Sequence, residues 1–209
     1  MNHVVLLGDS IFDNAAYTGG APDVVRQLRQ RLPDGSKATL LAVDGGTTAD
    51  VREQLRLLPA DATHLIVSVG GNDALGHIDF LGAPAGTTAE ALLGLADIAA
   101  GFERRYHGML TEVLARGLPT AICTIYYPRF PDPTLQRIAT TALAVFNDCI
   151  IRAAFTHGTP LLDLRFVCTE EGDYADPIEP SARGGEKIAD AIAEMLERGF
   201  AGGRTEVFS

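Results

Sequence analysis

Short apolar runs closed by glycine or proline alternate along this chain with longer stretches whose apolar residues recur at three- and four-residue spacing. The first run is His3-Val4-Val5-Leu6-Leu7-Gly8, and an unbroken apolar run of this length predicts a strand buried on both faces. Residues 22–32 follow, with Val24, Val25, Leu28 and Leu32 at helical spacing and Pro33-Asp34-Gly35 as the stop. The same reading predicts strands over 38–43, 64–69, 120–126 and 160–164, and helices over 50–58, 88–116, 134–155 and 181–198. Ile138, Ala142, Phe146 and Ile150 are the expected apolar stripe of the helix over 134–155. Residues 74–86 read as a loop over one end of the molecule, 128–133 as a break, and the segment after the fifth strand as a polar loop.

Strands alternating with helices at this spacing imply an α/β fold: a parallel sheet covered by helices on both faces. Such a sheet places its ligands at the carboxyl ends of its strands. Residues 1–209 read as one domain without repeats or linker, and 199–209, with Gly202-Gly203, as a frayed or lightly docked tail. Charge narrows the function. Seventeen Lys and Arg against 27 Asp and Glu give a net charge of -10, the wrong sign for nucleic acid or an anionic membrane surface. Three cysteines without a CxxC pair read as reduced core thiols. No run reaches the roughly 18 consecutive apolar residues of a membrane span, and no signal-peptide pattern opens the chain, so a cytoplasmic location is expected. Oligomeric state stays open.

The candidate chemistry lies just past the strands. The first ends in Gly8-Asp9-Ser10, the second leads into Asp44-Gly45-Gly46-Thr47-Thr48, and the third into Gly70-Gly71-Asn72-Asp73. Asp176-Pro177-Ile178-Glu179 precedes the last helix. Each alone reads as an ordinary turn or helix cap. Together they suit acyl transfer. Ser10 on a sharp strand-to-helix turn would present a hydroxyl and its own N–H, while the Gly45 N–H and the Asn72 amide would complete three donors for a tetrahedral oxyanion. Losing one such donor typically costs about 10²–10³ in rate. The chain contains no P-loop, GxGxxG or HExxH motif.

In this order and spacing the blocks resemble those of the SGNH/GDSL hydrolase family. The resemblance runs from the first strand to the last helix. It implies a three-layer α/β/α sandwich with a flavodoxin-like, five-stranded parallel sheet and an esterase, lipase, thioesterase or deacetylase activity on a small ester or acyl substrate, without a cofactor. By position it makes Ser10 the nucleophile, Ser10, Gly45 and Asn72 the oxyanion hole, and Asp176 the residue that orients the general base. Asp9 and His77 join them as candidate substrate-binding residues.

The sequence departs from that pattern at the base, where Glu179 stands in place of the family's histidine. A carboxylate has no N–H to offer Asp176, and its ordinary pKa of about 4.3 makes it a weaker base than imidazole. Three readings follow: burial and the Asp176 charge raise Glu179 toward neutrality; His77, in the overhanging loop, supplies the base; or Glu179 is held by Arg183 or helix N–H groups and Ser10 stays inactive. His3, His64, His107 and His157 read as structural or surface residues. Two other functions stay open: a binding module that kept the pocket without turnover, and a phosphoesterase whose cation is held by Asp9, Asp73, Asp176 and Glu179. Phe12, Tyr17, Ile78, Phe80, Leu81, Tyr126, Tyr127 and Phe130 are candidates for an acyl pocket or for the core.

Overall fold

The fold was obtained as a computed structural model that describes residues 2–199 and 204–209. β1 (His3–Gly8) shows how the sheet is built, for every one of its residues is buried. Val4 and Leu6 enter one core and Val5 and Leu7 the other, because successive side chains of a strand point to opposite faces. The remaining strands are β2 (Lys37–Leu40), β3 (His64–Ser68), β4 (Thr120–Cys123), β5 (Leu161–Leu162) and β6 (Val207–Phe208). All pair in parallel, in the order β2-β1-β3-β4-β5-β6. The expected α/β sandwich is thus present, with a six-stranded rather than a five-stranded sheet.

The extra strand comes from the segment read as a tail. Val207 and Phe208 pair with Leu161 and Leu162, and the buried Phe208 ring joins the core beside Leu196. An aromatic side chain brings enough apolar area to hold a two-residue edge strand. The Gly202-Gly203 part of the expected tail lies outside the described residues.

α1 (Val24–Arg31) and α7 (Ala182–Arg198) pack together on one face of the sheet; α2 (Val51–Arg56), α4 (Thr88–Leu114) and α5 (Pro133–His157) cover the other. Their ends follow local chemistry. The Asp23, Asp132 and Ser181 side chains accept N–H groups of the first turns of α1, α5 and α7. Pro133 opens α5, and Gly158 closes it in the left-handed region at φ 64°. The segments read as loops also hold short helices: α3 (Gly71–Leu75) and a 3₁₀ turn at Ile78–Gly82, then α6 (Leu164–Val167) and a 3₁₀ turn at Glu171–Asp173.

Strand pairing stops earlier than the apolar runs do, because side chains replace the missing neighbour. Gln54 bonds both the N–H and the C=O of Gly8 at 2.8 Å. Asn147 does the same for Ile125, again at 2.8 Å. Each amide matches a peptide group donor for acceptor; at Gly8 it takes the side that β2 has left, while β3 stays paired through Ser68.

α4 and α5 outrun the sheet. A 27-residue helix is roughly 40 Å long, against roughly 17 Å for a five-residue strand such as β3. The buried residues of α4 start at Phe102, and those of α5 at Leu143. Ile138 is therefore exposed and Ala142 only half-buried, which corrects the expected stripe: its N-terminal part overhangs the strand ends instead of the core. By length and composition α5 is also apolar enough to cross a membrane, a property that counting uninterrupted apolar runs did not register. Here Phe146, Ile150 and Ala153 press it onto the sheet.

Candidate active site

Ser10 stands at the carboxyl end of β1, 6% exposed. Just before it, Asp9 donates its N–H to the Ser68 carbonyl at the end of β3. The Asp9 carboxylate turns back to accept the Ile11 N–H at 3.1 Å. Among the described residues the Ser10 N–H has no acceptor, so the tight turn leaves both hydroxyl and amide of Ser10 available. Asp9 is 3% exposed. Burial, reinforced by the charges of Glu179 and Asp73, pushes its pKa up to about 8.

Two loops are tied together beside Ser10. Gly46 lies against β1 so closely that a Cβ there would stand 2.7 Å from the Gly8 carbonyl oxygen. The Asn72 amide donates to the Gly46 carbonyl at 2.9 Å, which commits one of its two N–H groups and leaves the other. The Asp73 carboxylate accepts both the N–H (2.9 Å) and the hydroxyl (2.7 Å) of Thr48. Gly45 forms the crest of this loop at φ 79°, where only glycine is unstrained. Its N–H likewise has no acceptor among the described residues.

Glu179 approaches Ser10 from the segment that precedes α7. The Asp176 carboxylate accepts the N–H groups of Ile178 and Glu179 at 2.9 Å each, so it shapes the backbone turn and does not touch the side chain. The segment is pinned from three sides. Tyr126 donates its hydroxyl to the Ile178 carbonyl at 2.5 Å, the Arg129 N–H reaches the Pro177 carbonyl at 2.7 Å, and the buried Asn14 amide reaches the Pro180 carbonyl at 3.2 Å. Asn14 also accepts the Val24 N–H at 3.0 Å. It thereby couples the Ser10 loop to the Glu179 loop, a role that no sequence signal marked.

The Glu179 side chain is buried and shares the cavity wall with Ser10, close enough for the hydroxyl to act on its proton affinity. Burial raises its pKa to about 7; the charges of Asp44 and Asp176 add to the rise, and the nearby Ser10 hydroxyl restrains it. One carboxylate oxygen, Oε2, is buried without a partner among the described residues. The alternative in which Arg183 holds Glu179 is corrected by the structure, because the Arg183 guanidinium pairs with Glu170 and lies 3.7 Å from Asp173.

Asp9, Ser10, Asn72, His77 and Glu179 share the wall of one cavity of about 120 Å³. Gly45 and Asp176 stand outside that wall. The His77 ring makes no hydrogen bond to Ser10 or Glu179 among the described residues. Of the apolar candidates, Ile78, Phe80, Leu81, Tyr126 and Phe130 line the cavity, while Phe12 is core and Tyr17 bonds Asp44 at 2.8 Å; Tyr127 packs against the other core. Leu95, Ile98, Leu143 and Phe146, from the overhanging helices, complete it. Of these the sequence reading named only Phe146, as part of the apolar stripe of the helix over 134–155. The remaining histidines are elsewhere: His3 bonds Asp61 and Thr39, His64 bonds Thr63, and the His107 and His157 rings lie 5.6 Å apart. The carboxylates once considered for a cation are engaged separately, Asp73 by Thr48 and Asp176 by its own turn. Among the described residues no three His, Cys, Asp or Glu side chains are grouped to hold a metal.

A parallel α/β sandwich with serine, glycine and asparagine turns at three strand ends is the architecture of an SGNH-type ester hydrolase. The sequence agrees: the pattern of the GDSL-like lipase/acylhydrolase family matches residues 6–187, and the chain belongs to that family. Its fold resembles a lipase from a goat rumen metagenome, at 17% identity and TM-score 0.70 over 97% of this chain and 99% of that one. It also resembles the aryl esterase of M. smegmatis (18% identity, TM-score 0.65, 96% and 100% covered). A third likeness is to phospholipase A1 from Streptomyces albidoflavus (19% identity, TM-score 0.64, 96% and 99% covered). No curated protein sequence matches the chain.

Proposed function

We propose that this protein hydrolyses a small ester through an acyl-enzyme on Ser10, with Glu179 as general base. The observation that carries this reading is a buried carboxylate beside Ser10 on the wall of one cavity, its pKa raised to about 7. A base works best when its pKa is near the working pH, and burial gives Glu179 the range that an imidazole has unaided.

In the first half-reaction Glu179 takes the Ser10 proton as Oγ bonds to the ester carbonyl carbon. The negative oxygen is met by the Ser10 and Gly45 N–H groups and the uncommitted N–H of Asn72. Collapse breaks the bond to the alcohol, which leaves with the proton from Glu179. Water then attacks the acyl-enzyme by the same steps in reverse, and carboxylic acid is released. Asp176 serves by fixing the backbone turn that aims Glu179 and by its charge, which supports the raised pKa. The apolar cavity suits an aliphatic or aryl acyl group.

The test is kcat/KM on p-nitrophenyl butyrate. Ser10→Ala is expected to lose about 10³-fold or more, and Glu179→Gln, which keeps the shape, about 10²- to 10⁴-fold. Activity within tenfold of wild type in Glu179→Gln contradicts the role and transfers it to His77, for which His77→Ala is the matching variant.

A further inference from the structure

Behind the catalytic cavity lies a second apolar hollow, a groove of about 450 Å³ between the overhanging ends of α4 and α5. Phe80, Leu81, Leu95 and Ala142 line both spaces, so the two are separated by one layer of side chains. Leu92 (61% exposed) and Ile138 (42% exposed) continue the groove toward solvent. These are large apolar side chains at positions that contribute nothing to the core.

The Phe80 ring has a purpose-shaped seat. A Cβ on Gly94 would stand 2.7 Å from the ring, so the glycine lets the ring rest against α4 where it does, and a larger residue there would push it away. A glycine inside an exposed stretch of helix costs about 1 kcal/mol relative to alanine, and at Gly94 the room left by the missing side chain is taken by Phe80. The site thus contains a half-exposed phenylalanine, seated against a glycine, in the partition between the catalytic cavity and the groove behind it.

We propose that Phe80 is the end wall that sets acyl-chain length, and that the groove behind it is a second aliphatic subsite which the wall shuts off. The proposal rests on Ser10 being the acylated residue, which places the acyl chain in the cavity. A cavity near 120 Å³ approaches the size that admits a benzene-sized molecule, about six carbon atoms. A longer chain must pass Phe80. Beyond it the chain meets Leu92 and Ile138, whose apolar surfaces it would cover; among the described residues the only charged side chain lining that groove is Arg137.

Two readouts separate this proposal from the catalytic one. The first is the ratio of kcat/KM for p-nitrophenyl decanoate over butyrate in wild type, Phe80→Ala and Phe80→Ala/Ala91→Trp. The second, independent of turnover, is calorimetric binding of 1-decanol against 1-hexanol to the same proteins carrying Ser10→Ala, with circular dichroism to show that each is folded. Each further buried methylene is worth roughly a factor of four, so two or three give roughly 16- to 64-fold. Phe80→Ala is expected to raise both ratios by that amount, and Ala91→Trp, which fills the groove alone, to return them. An unchanged decanol ratio in folded Phe80→Ala overturns the end wall. A raised ratio that persists in the double variant overturns the groove as the receiving site. A shifted alkanol ratio in a protein that hydrolyses no ester supports the wall and overturns the Ser10 reading instead.

Discussion

At the scale of single residues, a carboxylate placed where this family carries an imidazole works near neutral pH only if its proton affinity rises. For Glu179 burial does this first, and the Asp44 and Asp176 charges add to it, giving a pKa of about 7. The base is competent when ionised, so activity is expected to fall tenfold per pH unit below about 7 and to level above it. A kcat/KM profile on a short ester checks this. The acid limb should survive in His77→Ala, and its transfer to a new pKa in that variant would assign it to the histidine. The sequence identified Ser10 and Asn72 as neighbours-to-be, since each follows a strand whose end is set by simple periodicity, and the resemblance to the family added Glu179. It left the identity of the base open. That depends on which side chain faces Ser10 in space, and on Arg183 being captured by Glu170. Asn14, which joins the two loops, was illegible because a buried asparagine inside a turn has no local signature.

At the scale of elements, boundaries are decided by partners distant in sequence. The apolar runs over 120–126 and 160–164 continue past the last paired residues of β4 and β5. For β4 the Asn147 amide ends the pairing, a contact 22 residues away. The same limit hid the acyl cavity, because Leu95 and Ile98 repeat like core residues, and only the overhang of α4 beyond the sheet turns them toward a space. β6 shows the reverse case, in which one aromatic residue converts an apparent tail into sheet. Because Phe208 is buried beside Leu196, Phe208→Ala is expected to cost about 3 kcal/mol, measured as a lower urea midpoint with an unchanged slope. A midpoint equal to wild type would mean that β6 adds no stability.

For the whole molecule, the site exacts a pH-dependent cost in stability. An Asp in the unfolded chain ionises near 3.8, whereas Asp9 keeps its proton up to about 8. Between these values the folded state binds more protons, so the contribution of Asp9 is complete below about pH 4 and is lost as pH rises through 8. Glu179, raised to about 7, acts in the same direction. Asp163 and Asp173, whose pKa values are lowered, act oppositely: Arg165 and Thr124 hold the first, Lys187 and backbone N–H groups the second, and their contribution is lost in acid. Stability should therefore peak in mildly acidic solution and decline toward pH 8.5. Asp9→Asn retains an oxygen for the Ile11 N–H without the ionisation, so it should flatten the decline. Urea titrations at pH 5 and 8.5 test this, and an equal decline in the variant would remove Asp9 from the account.

The central claim is that Ser10 is an activated nucleophile, and covalent capture tests it most directly. Wild type and Ser10→Ala are exposed to a serine-reactive fluorophosphonate across pH 5–9, and intact mass is recorded with time. A single adduct on wild type, absent from Ser10→Ala and forming faster as pH rises through about 7, is the predicted result. A folded wild-type protein that stays unlabelled, or an adduct that persists in Ser10→Ala, would contradict it.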